Sequence, residues 1–265
     1  MSSCLTPSPG LDPQTSDFYR IMLQDLRDAK VPSMVGGTYA VARYTGMPRR
    51  TKDLDLFIRR DDLPRVMEVA ERAGYRTELT APHWLGKIRH EDDLIDVIFG
   101  SGNKVCPVDD SWFEHAVPEN VLGIPVLLCP VEEMIWSKAF IMERERYDGA
   151  DVIHLVHARA ATLDWQRLLD RFGPNWRVLL SHLILFQFVY PNERCLIPDW
   201  VMNALLARVV DPKSEEPSVD KLCRGPLLSK TQYHLDLSCW GYQDARLVPP
   251  VSMTPEELAT WNTVE

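Results

Sequence analysis

The sequence predicts an α/β fold of the α+β kind, in which a mixed sheet flanked by helices is followed by a mainly helical C-terminal part. Two observations predict the sheet: the glycine turn Gly36-Gly37 between a strand and a short helix, and the strict Asp-Leu-Asp-Leu alternation at residues 53–56. A third predicts the helical part, because Pro130 opens a helix and amphipathic patterns continue to residue 210.

These patterns divide the chain into four parts. Ser, Thr and Pro are frequent at the N-terminus, which predicts a flexible leader, and polar residues with little periodicity return near the C-terminus. The predicted parts are a leader at residues 1–15, a sheet-containing domain at 16–129, a helical domain at 130–210 and an irregular extension at 211–265.

The elements of the second part follow from local signals. Apolar residues recur at helical spacing from Ser16 to Ala29, and a first strand is expected at 31–35. A short helix then ends at Gly46. After the aspartate-bearing strand, the pattern predicts a helix, a strand and a hairpin, then a loop-rich connection at 100–120 and a last strand ending at residue 129.

Composition excludes several classes of protein. No apolar run reaches membrane-spanning length, and the N-terminus lacks the pattern of a secretory signal. The six cysteines have no paired spacing, so we expect reduced thiols, no zinc site and a cytoplasmic location. The formal net charge of −9 argues against broad, nonspecific binding to nucleic acid.

The aspartate pair and the glycine turn each suit phosphate chemistry. On a strand, Asp53 and Asp55 share one face, and two carboxylates on one face suit divalent cations that bind phosphates. Gly36 and Gly37 let a ligand approach the backbone, and Thr38 follows at a helix N-terminus, where unpaired N–H groups favour an anion. Taken singly, each pattern is typical of an ordinary solvated strand edge or turn. Their ordered combination is more specific.

Asp96 is a third candidate carboxylate. It lies in the middle of an apolar strand, where an uncompensated carboxylate would be costly to bury. An exposed position on an edge strand is the alternative. Three carboxylates converging on one point would repel one another without a cation, which itself indicates a metal site.

The stretch from Val35 to Ile58 resembles the signature of the DNA polymerase β-like nucleotidyltransferase superfamily, a Gly-Gly/Ser helix followed by an hDhDh strand. It is most similar to the AbiEii-type branch, which has an arginine and a Ser/Thr just before the Asp-x-Asp. Arg49 and Thr51 fall on those places.

The resemblance implies roles for residues in both halves of the chain. Asp53, Asp55 and Asp96 would be the catalytic, metal-binding carboxylates, and nucleotide would be bound by residues Gly36, Gly37, Thr38, Arg49, Thr51 and Lys138. Asp148 or Asp151 would order the site, and the sequence leaves the choice open. A surface helix with local Glu–Arg pairs is the alternative for the segment from Lys138 to Asp151.

The implied activity is transfer of a nucleotide from a nucleoside triphosphate such as ATP to a hydroxyl acceptor, with Mg²⁺ or Mn²⁺ as the cofactor. The acceptor stays open between a small molecule, a tRNA end and another protein. A toxin-type enzyme would imply an antitoxin partner. The alternatives are an aminoglycoside- or lincosamide-type antibiotic nucleotidyltransferase and a catalytically silent nucleotide-binding protein on the same fold.

Overall fold

The structure, a computed structural model, describes residues 11–48, 51, 53–211 and 219–263. It divides into two units. The first contains the described residues up to Gly102 together with Pro107–Pro130, and the second contains Asn103–Cys106 and the described residues from Val131 onward. Within these residues, no helix combines the length and the apolar character needed to cross a membrane.

The first unit is built on a mixed sheet, which has seven strands within the described residues. The strands are β1 (Met34–Val35), β2 (Asp53–Phe57), β3 (Arg76–Ala81), β4 (Leu85–His90), β5 (Asp93–Ile98), β6 (Val117–Val121) and β7 (Ile124–Leu128). Their order across the sheet is β3-β4-β5-β2-β1-β7-β6. The pairs β2–β5 and β1–β7 are parallel, and the other neighbours are antiparallel. This confirms the predicted mixed sheet.

The helices of this unit are α1 (Pro13–Asp28), α2 (Gly37–Thr45), α3 (Leu63–Arg72) and α4 (Asp110–Glu114). The predicted end of the leader at residue 15 is wrong, because α1 begins at Pro13. Asp12 accepts a hydrogen bond from the backbone N–H of Gln14, and Pro13 suits the first turn, where its missing N–H costs nothing. Residues 1–10 lie outside the described part of the chain.

One face of the sheet forms the core of the first unit. Its central strands contribute Leu54, Leu56, Ile88, Ile95 and Val97, which pack with apolar side chains of α1 and α3. Because side chains alternate along a strand, the residues between these positions lie on the opposite face. That opposite face carries the aspartates of β2.

The second unit is mainly helical, as predicted. Its principal helices are α5 (Val131–Ala139), α6 (Gly149–Arg159), α7 (Trp165–Phe172), α8 (Trp176–Val189) and α9 (Asp199–Val210). Asp164 caps α7 by accepting a hydrogen bond from the N–H of Arg167. Short elements follow: β8 (Leu222–Cys223), α10 (His234–Ser238), β9 (Gln243–Asp244) and α11 (Pro255–Thr263).

Two segments are more regular than the sequence predicts. The connection at 100–120 contains α4 and most of β6, whose Pro118 is tolerated because β6 is an edge strand. The extension at 211–265 ends in helix α11, which begins with a capping box. In that box the N–H of Glu257 donates to Thr254 Oγ1 over 3.1 Å, and the N–H of Thr254 donates to Glu257 Oε2 over 2.8 Å.

Candidate active site on the open face of the sheet

The glycine turn lies directly against the aspartate-bearing strand. The N–H of Gly36 donates to the carbonyl oxygen of Asp55 over 3.0 Å. Gly37 has a φ of +53°, and a Cβ there would lie 1.6 Å from Asp55 Oδ2. A Cβ on Gly36 would lie 2.3 Å from the Phe57 ring. Only glycine fits at either position, so the backbone of the turn closes over the Asp55 carboxylate.

Helix α2 begins at this turn. Gly37 is the first residue of the helix. Gly36 is the N-cap residue and, having no side chain, cannot cap the N–H groups of the first turn. Thr38 lies in the first turn, and the helix ends at Gly46 as the sequence predicts. The unpaired N–H groups of a helix N-terminus favour an anion. The turn therefore offers backbone donors beside a carboxylate, an arrangement suited to a phosphate that shares a cation with that carboxylate.

Strand register brings the three predicted carboxylates to one face of the sheet. Asp53 and Asp55 alternate with the buried Leu54 and Leu56. Strand β5 pairs with β2 in parallel, and Asp96 is the register partner of Asp55. Paired residues on neighbouring strands project from the same face, with Cβ atoms about 5 Å apart. Asp96 is half-buried, and its Oδ1 atom is shielded from solvent.

Thr51 holds the first of these carboxylates. Its hydroxyl lies 2.7 Å from Asp53 Oδ1 and 2.8 Å from the Asp53 carbonyl oxygen. The sequence predicted that Thr51 binds nucleotide, and the structure places its hydroxyl on Asp53. Arg49, the other residue predicted in this loop, lies outside the described residues.

The donor set fits a hard divalent cation. In the described ranges, no three or more His, Cys, Asp or Glu side chains are grouped closely enough to hold a metal ion. Mg²⁺ does not need such a cage, because it is usually bound by one or two carboxylates together with substrate phosphates. Asp55 and Asp96, in register beside the glycine turn, supply such a pair of oxygen donors.

Two tyrosines lie close to the carboxylates, of which Tyr19 is buried and Tyr39 half-buried, and the sequence analysis missed both. Burial and the negative charge of Asp53 raise the pKa of Tyr39 to about 12. Burial likewise raises the pKa of Tyr19, with Tyr39 and Asp93 adding to the effect. The Tyr19 hydroxyl donates to the Leu94 carbonyl oxygen over 3.1 Å. Both phenols therefore stay neutral near the carboxylate face.

Basic residues flank the carboxylates on the next strand, and these too were missed. Lys87 of β4 is the register partner of Asp96, and Arg89 is the partner of Leu94. Lys87 is half-buried, and among the described residues it has no hydrogen-bond or ion-pair partner. The alternation of Lys87 and Arg89 in the first arm of the hairpin was the available signal, but only the register shows which carboxylate Lys87 adjoins.

The second unit contains the other predicted charged residues. Lys138 of α5 is only 8% exposed, and its Nζ lies 2.8 Å from Asp148 Oδ2 and 2.9 Å from Asp151 Oδ2. Burial alone would raise the pKa of Asp148, but the hydrogen bond from Arg146 and the charge of Lys138 outweigh it and hold that pKa below its ordinary value. Both aspartates that the sequence left as alternatives therefore contact the same lysine.

Comparisons with known proteins return structural similarity only. No protein-family model matches the chain, and no curated protein matches its sequence. The antibiotic-resistance factor ANT(2'')-Ia matches with a TM-score of 0.44 and 17% identity, covering 65% of this chain and 98% of that one.

Two further solved structures are similar to this chain. The lincomycin-bound lincosamide antibiotic adenylyltransferase LnuA has a TM-score of 0.39 and 17% identity, covering 55% of this chain and 96% of its own. A putative nucleotidyltransferase from Thermotoga maritima has a TM-score of 0.37 and 12% identity, covering 46% and 81%. At these values, the similarities carry no argument about the chemistry of this chain.

Proposed function

We propose that this chain is a metal-dependent nucleotidyltransferase, which moves a nucleoside monophosphate from a nucleoside triphosphate to a hydroxyl acceptor. One observation carries the proposal. The backbone of the Gly36-Gly37 turn lies so close to Asp55 that no side chain fits between them, and Asp55 is in register with Asp96. A helix N-terminus and two carboxylates are thereby held within reach of one bound triphosphate.

The roles of the residues follow from their positions. Gly36, Gly37 and Thr38 would bind the triphosphate through the N–H groups of the turn and of the first turn of α2. Mg²⁺ or Mn²⁺, held by carboxylates among Asp53, Asp55 and Asp96, would neutralise phosphate charge and polarise the α-phosphate. Catalysis would be mainly positioning and electrostatic stabilisation.

Thr51 would act on the nucleotide through Asp53. Its hydroxyl lies on Asp53 Oδ1, so it fixes the orientation of that carboxylate. Direct nucleotide contacts by Thr51 and Arg49 remain predictions. The phosphate contact of Lys138 also remains a prediction, as does a site-ordering role for Asp148 or Asp151.

The acceptor defines the biological role. An AbiEii-like, toxin-type enzyme would modify a tRNA end or a protein and would have an antitoxin partner. An aminoglycoside- or lincosamide-type enzyme would modify a drug in the cytoplasm, and a silent relative would bind nucleotide without transferring it. Incubation with each α-labelled triphosphate and a crude lysate separates these roles by where the label appears, and a silent relative would leave all fractions unlabelled.

The proposed site is tested by calorimetry of nucleoside triphosphate binding with and without Mg²⁺. We expect binding that requires the cation and that weakens at least about tenfold in Asp53→Asn/Asp55→Asn, because the ligands of the cation are lost. The charge-matched control is Asp61→Asn/Asp92→Asn, at exposed positions outside the carboxylate strands. Equal binding by the wild type and the site variant, or none by the wild type, would contradict the proposal.

A further inference from the structure

A half-buried lysine extends the carboxylate row onto the neighbouring strand. Lys87 of β4 is the register partner of Asp96, which is in turn the register partner of Asp55. The three side chains therefore project from one face, in the order of their strands. Glu78 is the register partner of Lys87 on the other side, and among the described residues Lys87 forms no ion pair with either carboxylate. A positive charge is thus placed beside the candidate site.

The surroundings of Lys87 contain charges of both signs, because its register partners are Glu78 and Asp96 while two arginines lie further along these strands. Arg89 lies two residues further along β4 on the same face, and Arg76 of β3 is its register partner. Glu78 is the partner of Lys87 on β3, and it accepts a hydrogen bond from Arg89 Nε over 3.2 Å. Three cations and one anion on these two strands leave a surplus of positive charge. We call this surface, formed by Arg76, Glu78, Lys87 and Arg89, the basic strip.

The order of the strands places the basic strip on the side of the site where the acceptor would bind. The glycine turn follows β1, and the sheet then runs β1, β2, β5, β4. In phosphoryl transfer the attacking and leaving oxygens lie roughly in line on opposite sides of the phosphorus. If the pyrophosphate lies at the glycine turn, the attacking hydroxyl enters from the side of β5 and β4. The acceptor would then lie over the basic strip.

We propose that Lys87 binds the acceptor and that this acceptor carries a phosphate group near its attacking hydroxyl. This inference rests on the proposed function. In the step itself, the acceptor oxygen bonds to the α-phosphorus and the bond between the α-phosphorus and its bridging oxygen to the β-phosphorus breaks. Pyrophosphate leaves with that bridging oxygen, and the hydroxyl proton passes through a carboxylate to solvent. Lys87 would neutralise the acceptor phosphate, which the adjacent aspartates would otherwise repel.

The charges disfavour the cationic drug acceptors. An aminoglycoside carries several ammonium groups, and a basic strip beside the attacking position would repel them. The net charge of −9 limits the contact to a local one, because the rest of the protein does not favour a long polyanion. A mononucleotide and the end of an oligonucleotide both offer a hydroxyl beside a single phosphate.

The test measures label transfer from α-labelled triphosphates to three acceptors: mononucleotides, a short ribo-oligonucleotide and the aminoglycoside tobramycin. The variants are Lys87→Gln, Lys87→Glu and Lys87→Arg, with Lys30→Gln as an exposed control in the same unit. A charge-assisted contact is worth about 1.5–3 kcal/mol, so Lys87→Gln should raise the KM for a phosphorylated acceptor about 10- to 100-fold. Lys87→Arg should restore most of the loss, and Lys30→Gln should behave as the wild type.

The readouts separate this inference from the proposed function. Calorimetry of triphosphate binding should be unchanged in every Lys87 variant, since the lysine faces the acceptor. Label on mononucleotides or on the oligonucleotide identifies the source of the acceptor phosphate. Two outcomes would overturn the inference: more label on tobramycin with Lys87→Glu than with the wild type, or unchanged transfer to a phosphorylated acceptor in Lys87→Gln. Either outcome would leave the proposed nucleotidyltransferase function standing. A wild type that binds no triphosphate would overturn both.

Discussion

Lys87 in the sheet unit and Lys138 in the helical unit both have two carboxylates beside them, but they differ in whether ion pairs form. Lys138 is held by Asp148 and Asp151 at 2.8 and 2.9 Å. Lys87 adjoins Asp96 in the strand register, yet it makes no ion pair with a described residue. The resemblance implied Lys138 as the phosphate-binding lysine. The ion pairs in the structure instead favour Lys87 as the lysine that is available to a substrate.

The difference between the two lysines shows that the charge of Lys138 is already balanced by neighbouring residues. Around Lys138, two aspartates face two cations, because Arg146 also contacts Asp148 at 3.1 Å. A phosphate that recruited Lys138 would have to compete with both aspartates in a shielded environment. The register partners of Lys87, Glu78 and Asp96, are also carboxylates, but among the described residues neither forms an ion pair with the lysine. A lysine held in two ion pairs is typical of a structural role, and a lysine without an ion pair is more easily recruited by a ligand.

The largest expected effect is on the sheet side of this comparison, in Gly37→Ala. The new Cβ would collide with Asp55, at 1.6 Å from Oδ2, and displace the carboxylate from the glycine turn. We expect triphosphate-dependent activity to fall on the order of 10²- to 10³-fold, the range seen when one preorganised electrostatic contact is lost. The measurement is label transfer together with calorimetry.

Gly46→Ala is the matched control for that variant. Gly46 has a φ of +70°, so alanine is strained there as well, but a Cβ at this position meets nothing within 4 Å. Both variants should lose about 1–2 kcal/mol of stability from the left-handed backbone. Only Gly37→Ala should lose activity. An equal loss of activity in both would show that helix strain, and not contact with Asp55, is responsible.

The comparison of the lysines is tested directly by Lys138→Met and Lys87→Met. Removing Lys138 takes away the cation that two shielded aspartates share, so the free energy of unfolding should fall by about 3 kcal/mol. Lys87→Met should change it by less than about 0.5 kcal/mol. Denaturant unfolding measures both. If Lys138→Met keeps its stability but loses triphosphate binding, Lys138 is the phosphate-binding lysine and the comparison fails.

A smaller effect is expected from His182 of the helical unit. Its Nε2 lies 2.9 Å from the Ala139 carbonyl oxygen, and burial lowers its pKa below the ordinary value. The unfolded chain therefore binds a proton that the folded chain resists. Stability should be fully present above about pH 6.5 and should decline as the pH falls from there towards the lowered pKa.

His182→Gln tests this, since glutamine can still donate to Ala139 and does not titrate. The variant should have a flatter dependence of the free energy of unfolding on pH between 7 and 5. Parallel curves for the wild type and the variant would show that other groups cause the decline.

The sequence alone determined the features that depend on short-range periodicity. Alternation of Asp53 and Asp55 with two leucines predicted their common face, and Gly46 predicted the end of α2. The capping box at Thr254 and Glu257 was also legible in the sequence, although the segment was predicted to be irregular. Such signals act within a few residues, so no partner from elsewhere in the chain is needed to interpret them.

Only the tertiary structure decided which distant residues meet. Strand pairing set Asp96 beside Asp55 and Lys87 beside Asp96, and helix packing brought Asp148 and Asp151 to the same lysine. A shift of one residue in the register of β4 would turn Lys87 to the other face, and the same shift in β5 would turn Asp96 away from Asp55. The sequence therefore predicted which carboxylates share a face, and the register determined which residues of different strands lie side by side.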